Sequence, residues 1–458
     1  MLTLLYVLVS LVTVSKCFIP STRPRIEKDQ HGHISFFLHD EPGGLVDMVI
    51  TMHVLNDFHV GKAIKNQESN EWYYRTSHYN LKDDDVLHYK ISYILNQGLA
   101  QRIYIDSVQF NTKTTVTPIH HPVDKRAAVV LYDDFSGNTL DFNKWYFEVS
   151  ASGGGNGEFQ VYCPEKSNTF IKNGMLYLKP TFTADRFGEN FLHQGTLDLK
   201  ALWNSCTNPS ENGCYRLGSQ NKIPPIMSSK LFSKATITYG RVEILAKIPK
   251  GDWIWPAFWL LPPGVGKYGY WPKSGEIDIM ESRGNLHLKD GGGNAQGVTQ
   301  ITSTIHYGKN YFSDGHRYQG HWKLAPSGTT WADDFHMYTL DWTRDHIRME
   351  VDGQAVLSWN TPPEGYWKHE GFTGDNIWAN GGKDAPFDTN FGLILNVAVG
   401  GSRGFFNDDW NNGADGKPWK DSSPTAMMDF WTNHHQWQHT WNGDDVALKI
   451  KSVKMTQY

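Results

Sequence analysis

From residue 129 to the C-terminus, apolar and polar residues alternate in short runs such as GRVEILAK (240–247), HIRMEVDG (346–353) and ALKIKSVKM (447–455). A strand points successive side chains to opposite faces, so this alternation means one buried face and one wetted face. MLYLKPTF, EIDIMES, TQITSTIHYG, HMYTLDWT and FGLILNVAVG extend the series, and the periodicity of a long helix is nearly absent. Many short strands divided by glycine-rich turns predict an all-β fold, a β-jelly-roll sandwich. Aromatic residues make up 14% of the chain, more than a core requires, which points to flat amphipathic binding surfaces.

A smaller set of alternating runs occupies residues 18–110: HISFFLHD, LVDMVITMHV, NEWYYRTS, VLHYKISYIL and QRIYIDSVQF. These predict a small immunoglobulin-like β-sandwich ahead of the larger one. Residues 111–128 are polar, hold two prolines and no aromatic residue, and read as a linker to the 129–458 domain.

Lys plus Arg is 43 and Asp plus Glu 48, a formal charge of −5, which argues against a nucleic-acid partner needing clustered cations. The one long apolar run, LLYVLVSLVTV at 4–14, is too short to span a bilayer and fits the core of a secretory signal peptide over 1–17. No membrane partner is expected, and the product is expected outside the cell. Export permits disulfides. Cys206 and Cys214 bracket the turn-rich TNPSENG and are expected to pair, closing a loop worth roughly 2.5 kcal/mol on the chain-entropy scale. Cys163 then stays alone, or pairs with one of those two or with Cys17; spacing does not decide among these. The chain has no Asn-x-Ser/Thr acceptor for N-glycosylation and no Cys-x-x-Cys pair for zinc.

The densest chemistry lies in SGEIDIME, 274–281. On one strand Glu276 and Asp278 share a face, while Ile277 and Ile279 point the other way. Glu281 falls on the wrong face unless a β-bulge separates it from Asp278, and bulges favour active-site margins. Three acids on one face repel unless one holds a proton, which yields one neutral acid and one anion at the same pH. Two carboxyl groups about 5–5.5 Å apart are what retaining glycoside hydrolysis needs. Just upstream, GDWIWPAFWLLP and YGYWP supply Trp253, Trp255, Trp259 and Trp271. Indole faces stack on sugar C–H faces. Trp259, within AFWLL, reads as core, and Trp271 as a sugar platform.

With FSGNTLDFNKW, GGGNGEFQVY, YGRVEILAKIPKGDWIWPAFWLLP, GEIDIMESRGN, HYG, FHMYTLDWT and PFDTNFGLILNVAVGG in order, residues 129–458 resemble glycoside hydrolase family 16, in its laminarinase-like branch of endo-1,3-β-glucanases. The resemblance implies Glu276 as nucleophile, Glu281 as acid/base and Asp278 as helper. It also implies Asn156, Glu158, Trp255, Trp271, Arg283 and His306 as substrate-binding residues. It implies a β-1,3-glucan as partner, a monomer, and no cofactor or metal. HISFFLHDEPGG, HVLNDFHVGKAI and EWYYRTSHYNLKDDDVLHYKISYIL make the N-terminal unit similar to carbohydrate-binding module family 39. The chain departs from that module at NQGLAQRIYIDSVQF, which has no Trp. Two functions remain open on these grounds: a secreted retaining endo-1,3-β-glucanase, or a non-catalytic β-1,3-glucan recognition protein of innate immunity. Retention of both glutamates favours the first.

Overall fold

The computed structural model describes residues 128–458 apart from 314–320 and 414–415, and before them the strand segments 25–28, 34–39, 45–54, 57–62, 64–66, 71–76, 86–95, 101–109 and 117–118. The leader with Cys17, and most of the expected linker, lie outside the described residues. The chain divides into two compact units, Met1–Ala128 and Val129–Tyr458.

In the first unit the alternating runs form two antiparallel sheets. One has the order Arg25–Lys28, Ile34–His39, Glu71–Thr76, Ile64–Asn66. The other runs Asp57–Lys62, Leu45–Val54, Val86–Leu95, Gln101–Gln109, Thr117–Pro118. Ile26, Ile34, Phe36 and Trp72 are buried. Thr117 and Pro118, inside the expected linker, pair instead with Gln109 and Val108, so the unit extends further than its aromatic content suggested.

The second unit stacks two large sheets. The cleft sheet contains β1 (Trp145–Phe147), β2 (Lys230–Ile237), β3 (Ile254–Leu261), β4 (Glu276–Ser282), β5 (Gln300–His306), β6 (His321–Leu324) and β7 (Phe391–Val399). Its spatial order is β1-β2-β7-β3-β4-β5-β6, antiparallel throughout. The opposing sheet centres on Leu448–Gln457, Gly240–Lys247 and His336–Trp342. One core joins them: Val242, Ile244, Leu340 and Met349 from the opposing sheet meet Phe258, Leu260, Ile277, Ile279, Met280, Leu393 and Leu395. Each fully buried aliphatic side chain stabilises the sandwich by about 1.5–3 kcal/mol, so the inward residues of β4 anchor the acid-bearing strand. The alternation is visible in Gly240–Lys247, where every second residue is buried. Among the described residues the helices are short, the longest being Ala426–Thr432.

Candidate functional site

The acids sit on β4, on the face turned away from the core. Gly275 opens the strand at φ 81°, and a side chain there would press within 2.9 Å of the Phe387 ring, so glycine is required at the entry. Glu276 lies opposite His306 and Asp278 opposite Thr304, and then the register shifts so that Glu281 faces Thr302. Ile279 and Met280 both enter the core in the space one residue would normally occupy. Ser303 secures the irregularity by donating from Oγ to the Ile279 carbonyl at 2.7 Å. The bulge thus returns Glu281 to the face of Glu276 and Asp278.

Glu276 and Glu281 reach the surface in part, whereas Asp278 is buried. Burial, reinforced by the negative charge of Asp278, pushes Glu276 well above the ordinary carboxylate range. Burial and then Asp278 push Glu281 up to about 7, against the pull of His306, the Trp255 hydrogen bond and Arg283. His306 Nε2 lies 3.0 Å from Asp278 Oδ2. One ligand atom each from Glu276, Asp278 and His306 fall within 4.8 Å of one another, a donor set that would also suit a divalent ion.

The other anticipated residues divide into four groups. Trp255 and His306 border the acids directly: the Trp255 indole N–H donates to Glu281 Oε1 at 2.9 Å. One face of Trp255 is covered by Phe405, with ring centroids 3.5 Å apart and an interplanar angle of 5°. Trp271 stands one ring further out, 5.7 Å from His306 and 40% exposed, as a sugar platform should be. Arg283 lies behind the site, buried, donating from Nε to the Phe405 carbonyl at 2.8 Å with its guanidinium 3.9 Å from the Phe405 ring. Asn156 and Glu158 hydrogen-bond to each other at 3.3 Å. Glu158, raised by burial, also accepts from Gln160 at 2.6 Å and from the Tyr162 hydroxyl at 3.2 Å.

Trp259 corrects the sequence reading. It is not core: it shares the outer face with Asp278, its register partner, and donates to Asn396 Oδ1 at 2.6 Å. Asn396 in turn donates to Tyr162 at 3.0 Å, linking Glu158 to the groove floor. Asn396 and Phe405 escaped the sequence analysis, since both come from distant segments that only strand pairing and loop packing bring alongside. Cys206 and Cys214 form the expected disulfide, and Cys163 is a buried free thiol.

An open aromatic face bearing grouped carboxylates, carried by one sheet of a β-sandwich, defines a carbohydrate-active jelly-roll protein. Residues 198–366 match the glycosyl hydrolases family 16. A β-1,3-glucan-binding protein of Penaeus monodon is 42% identical over 72% of this chain and 88% of its own length. The glucan endo-1,3-beta-glucosidase A1 of Niallia circulans is 33% identical over 60% of this chain and 34% of its own length. The laminarinase catalytic domain of Thermotoga maritima aligns with a TM-score of 0.45 at 24% identity, covering 72% of this chain and 98% of that domain. The chain belongs to glycosyl hydrolase family 16, in the laminarinase-like group that also holds β-1,3-glucan-binding proteins.

Proposed function

We propose that this chain is a secreted endo-1,3-β-glucanase that hydrolyses internal bonds of laminarin-type glucans with retention of configuration. The observation that carries the reading is the bulged strand β4, which sets Glu276, Asp278 and Glu281 on one face, with the carboxyls of Glu276 and Glu281 both held above the ordinary range. In the retaining scheme Glu276, as the anion, attacks the anomeric carbon and forms a glycosyl-enzyme. Glu281, protonated below about pH 7, gives its proton to the departing oxygen; as a carboxylate it then draws a proton from the attacking water. Asp278 shares a hydrogen bond with Glu276 and holds the nucleophile in place, and His306, 3.0 Å from Asp278, steadies the pair. Trp255 orients the Glu281 carboxyl through its indole N–H. Export is supported by the apolar leader at 4–14 and by the Cys206–Cys214 disulfide, and no helix among the described residues is long and apolar enough to cross a membrane.

The relationship to the Penaeus monodon protein, a β-1,3-glucan-binding protein by name, favours a second reading: a non-catalytic recognition protein of innate immunity. Reducing-sugar release from laminarin separates the two. A glucanase gives release with the native chain and none with Glu276→Gln. Laminarin bound but uncut by the native chain would make it a recognition protein.

A further inference from the structure

Arg283 follows β4 directly, two residues beyond Glu281, and strand parity turns both side chains to the same side of the sheet. It is 8% exposed, with its guanidinium against two rings, 3.9 Å from Phe405 and 4.6 Å from Trp410. The Phe405 ring also stacks on Trp255, whose indole N–H donates to Glu281. A row of contacts therefore runs from Trp410 through Arg283, Phe405 and Trp255 to the acid. The resemblance implied that Arg283 binds substrate. It is instead enclosed, and its hydrogen bonds run to main-chain carbonyls, those of Phe405 at 2.8 Å and Gln296 at 3.4 Å.

What this arginine lacks is a carboxylate at close range. Arg241, on the opposing sheet, has Glu243 at 3.5 Å. Among the described residues no carboxylate lies within salt-bridge distance of Arg283, and the anion it feels is Glu281. A buried cation left unpaired is costly, and an apolar side chain of similar size would fill the space beside these rings more stably. Packing therefore does not account for the charge. The chemistry does, because Glu281 becomes an anion each time it gives its proton to the departing oxygen. A cation already fixed nearby favours that change without having to move.

We propose that Arg283 is a positioning residue for the acid/base: its enclosed charge, held by the Phe405 and Trp410 rings, favours departure of the Glu281 proton, and it does not touch the sugar. The role rests on the glucanase reading. The charged groups facing Glu281 are Asp278 and Glu276 on its own strand, His306 on β5 and Arg283, while β3 and the segment after β7 present the uncharged Trp255 and Phe405. Arg283 is the permanent cation among them.

The test follows the Glu281 carboxyl by NMR in the full chain carrying isotopically labelled glutamate, using the resonance that disappears in Glu281→Gln. Values of kcat and KM on laminarin are read over the same pH range. Arg283→Met, which keeps the bulk and loses the charge, should raise the titration midpoint by about half to one pH unit and lower kcat about three- to tenfold, with KM within about twofold. Arg283→Lys, which keeps the charge, should return the midpoint most of the way to its native position. A midpoint that stays or falls in Arg283→Met, or one that Arg283→Lys leaves equally high, would overturn the assignment. So would a raised KM with kcat unchanged, the mark of a lost sugar contact. A native chain that cuts no laminarin would overturn the glucanase reading instead, while the titration still decides whether Arg283 acts on Glu281.

Discussion

Two glutamates, one on the outer face of each sheet, show what separates a structural carboxylate from a reactive one. Glu243 and Glu281 both lie on strands whose alternate residues fill the same core, and both are partly covered. Glu243 has Lys454 at 3.0 Å and Arg241 at 3.5 Å. Against the upward push of burial, these cations hold its carboxyl below the usual range. Glu281 meets burial together with the carboxylate of Asp278, and rises to about 7. Position on a strand is therefore neutral; the charges beside each carboxyl, on its own strand and the next, decide the chemistry.

The largest expected effect separates the two directly. Glu281→Gln should lower kcat on laminarin by about a hundred- to ten-thousandfold, as for loss of a general acid. Glu243→Gln should leave kcat nearly unchanged. Equal losses from both would erase the distinction.

Stability should move the opposite way. A carboxyl raised from 4.5 to about 7 binds its proton more tightly in the folded state, so its contribution is lost as pH rises through that window. At about 1.36 kcal/mol per pH unit, Glu281→Gln should gain about 3 kcal/mol in denaturant unfolding at pH 8. Glu243 is lowered, so its contribution is present above 4.5 and lost as pH falls below it. Glu243→Gln should cost about 3 kcal/mol at pH 8 and less in acid, since it leaves buried cations unpaired.

A smaller effect sharpens the account of Glu281. The alkaline limb of the rate profile should fall near pH 7, where Glu281 gives up its proton. The Trp255 hydrogen bond favours the ionised form, so Trp255→Phe should move that limb upward, read from kcat against pH. Phe405→Ala, which uncovers Trp255 and eases the burial that raises Glu281, should shift it downward by a smaller amount.

Much of this architecture was legible beforehand. Alternation marked Gly240–Lys247, His346–Val351 and Leu448–Gln457 as strands because a half-buried strand has no other way to satisfy both faces. The bulge followed from counting, since Glu276 and Glu281 are five apart and only an extra residue returns them to one side. Trp259 was misread because its neighbours Phe258 and Leu260 are core, and an apolar run does not reveal which parity faces inward.

The sequence by itself determined the all-β class, the acid spacing with its bulge, and the short disulfide loop, all set by contacts within a few residues. Tertiary structure alone decided the surroundings of those acids. Trp259 meets Asn396 across 137 residues, and Phe405 covers Trp255 from the segment after β7. Likewise Lys230 finds Glu148 through the pairing of β1 with β2. Proton affinity depends on every charge and every shielding surface within a few ångströms, and those distances exist only once the strands have taken their order.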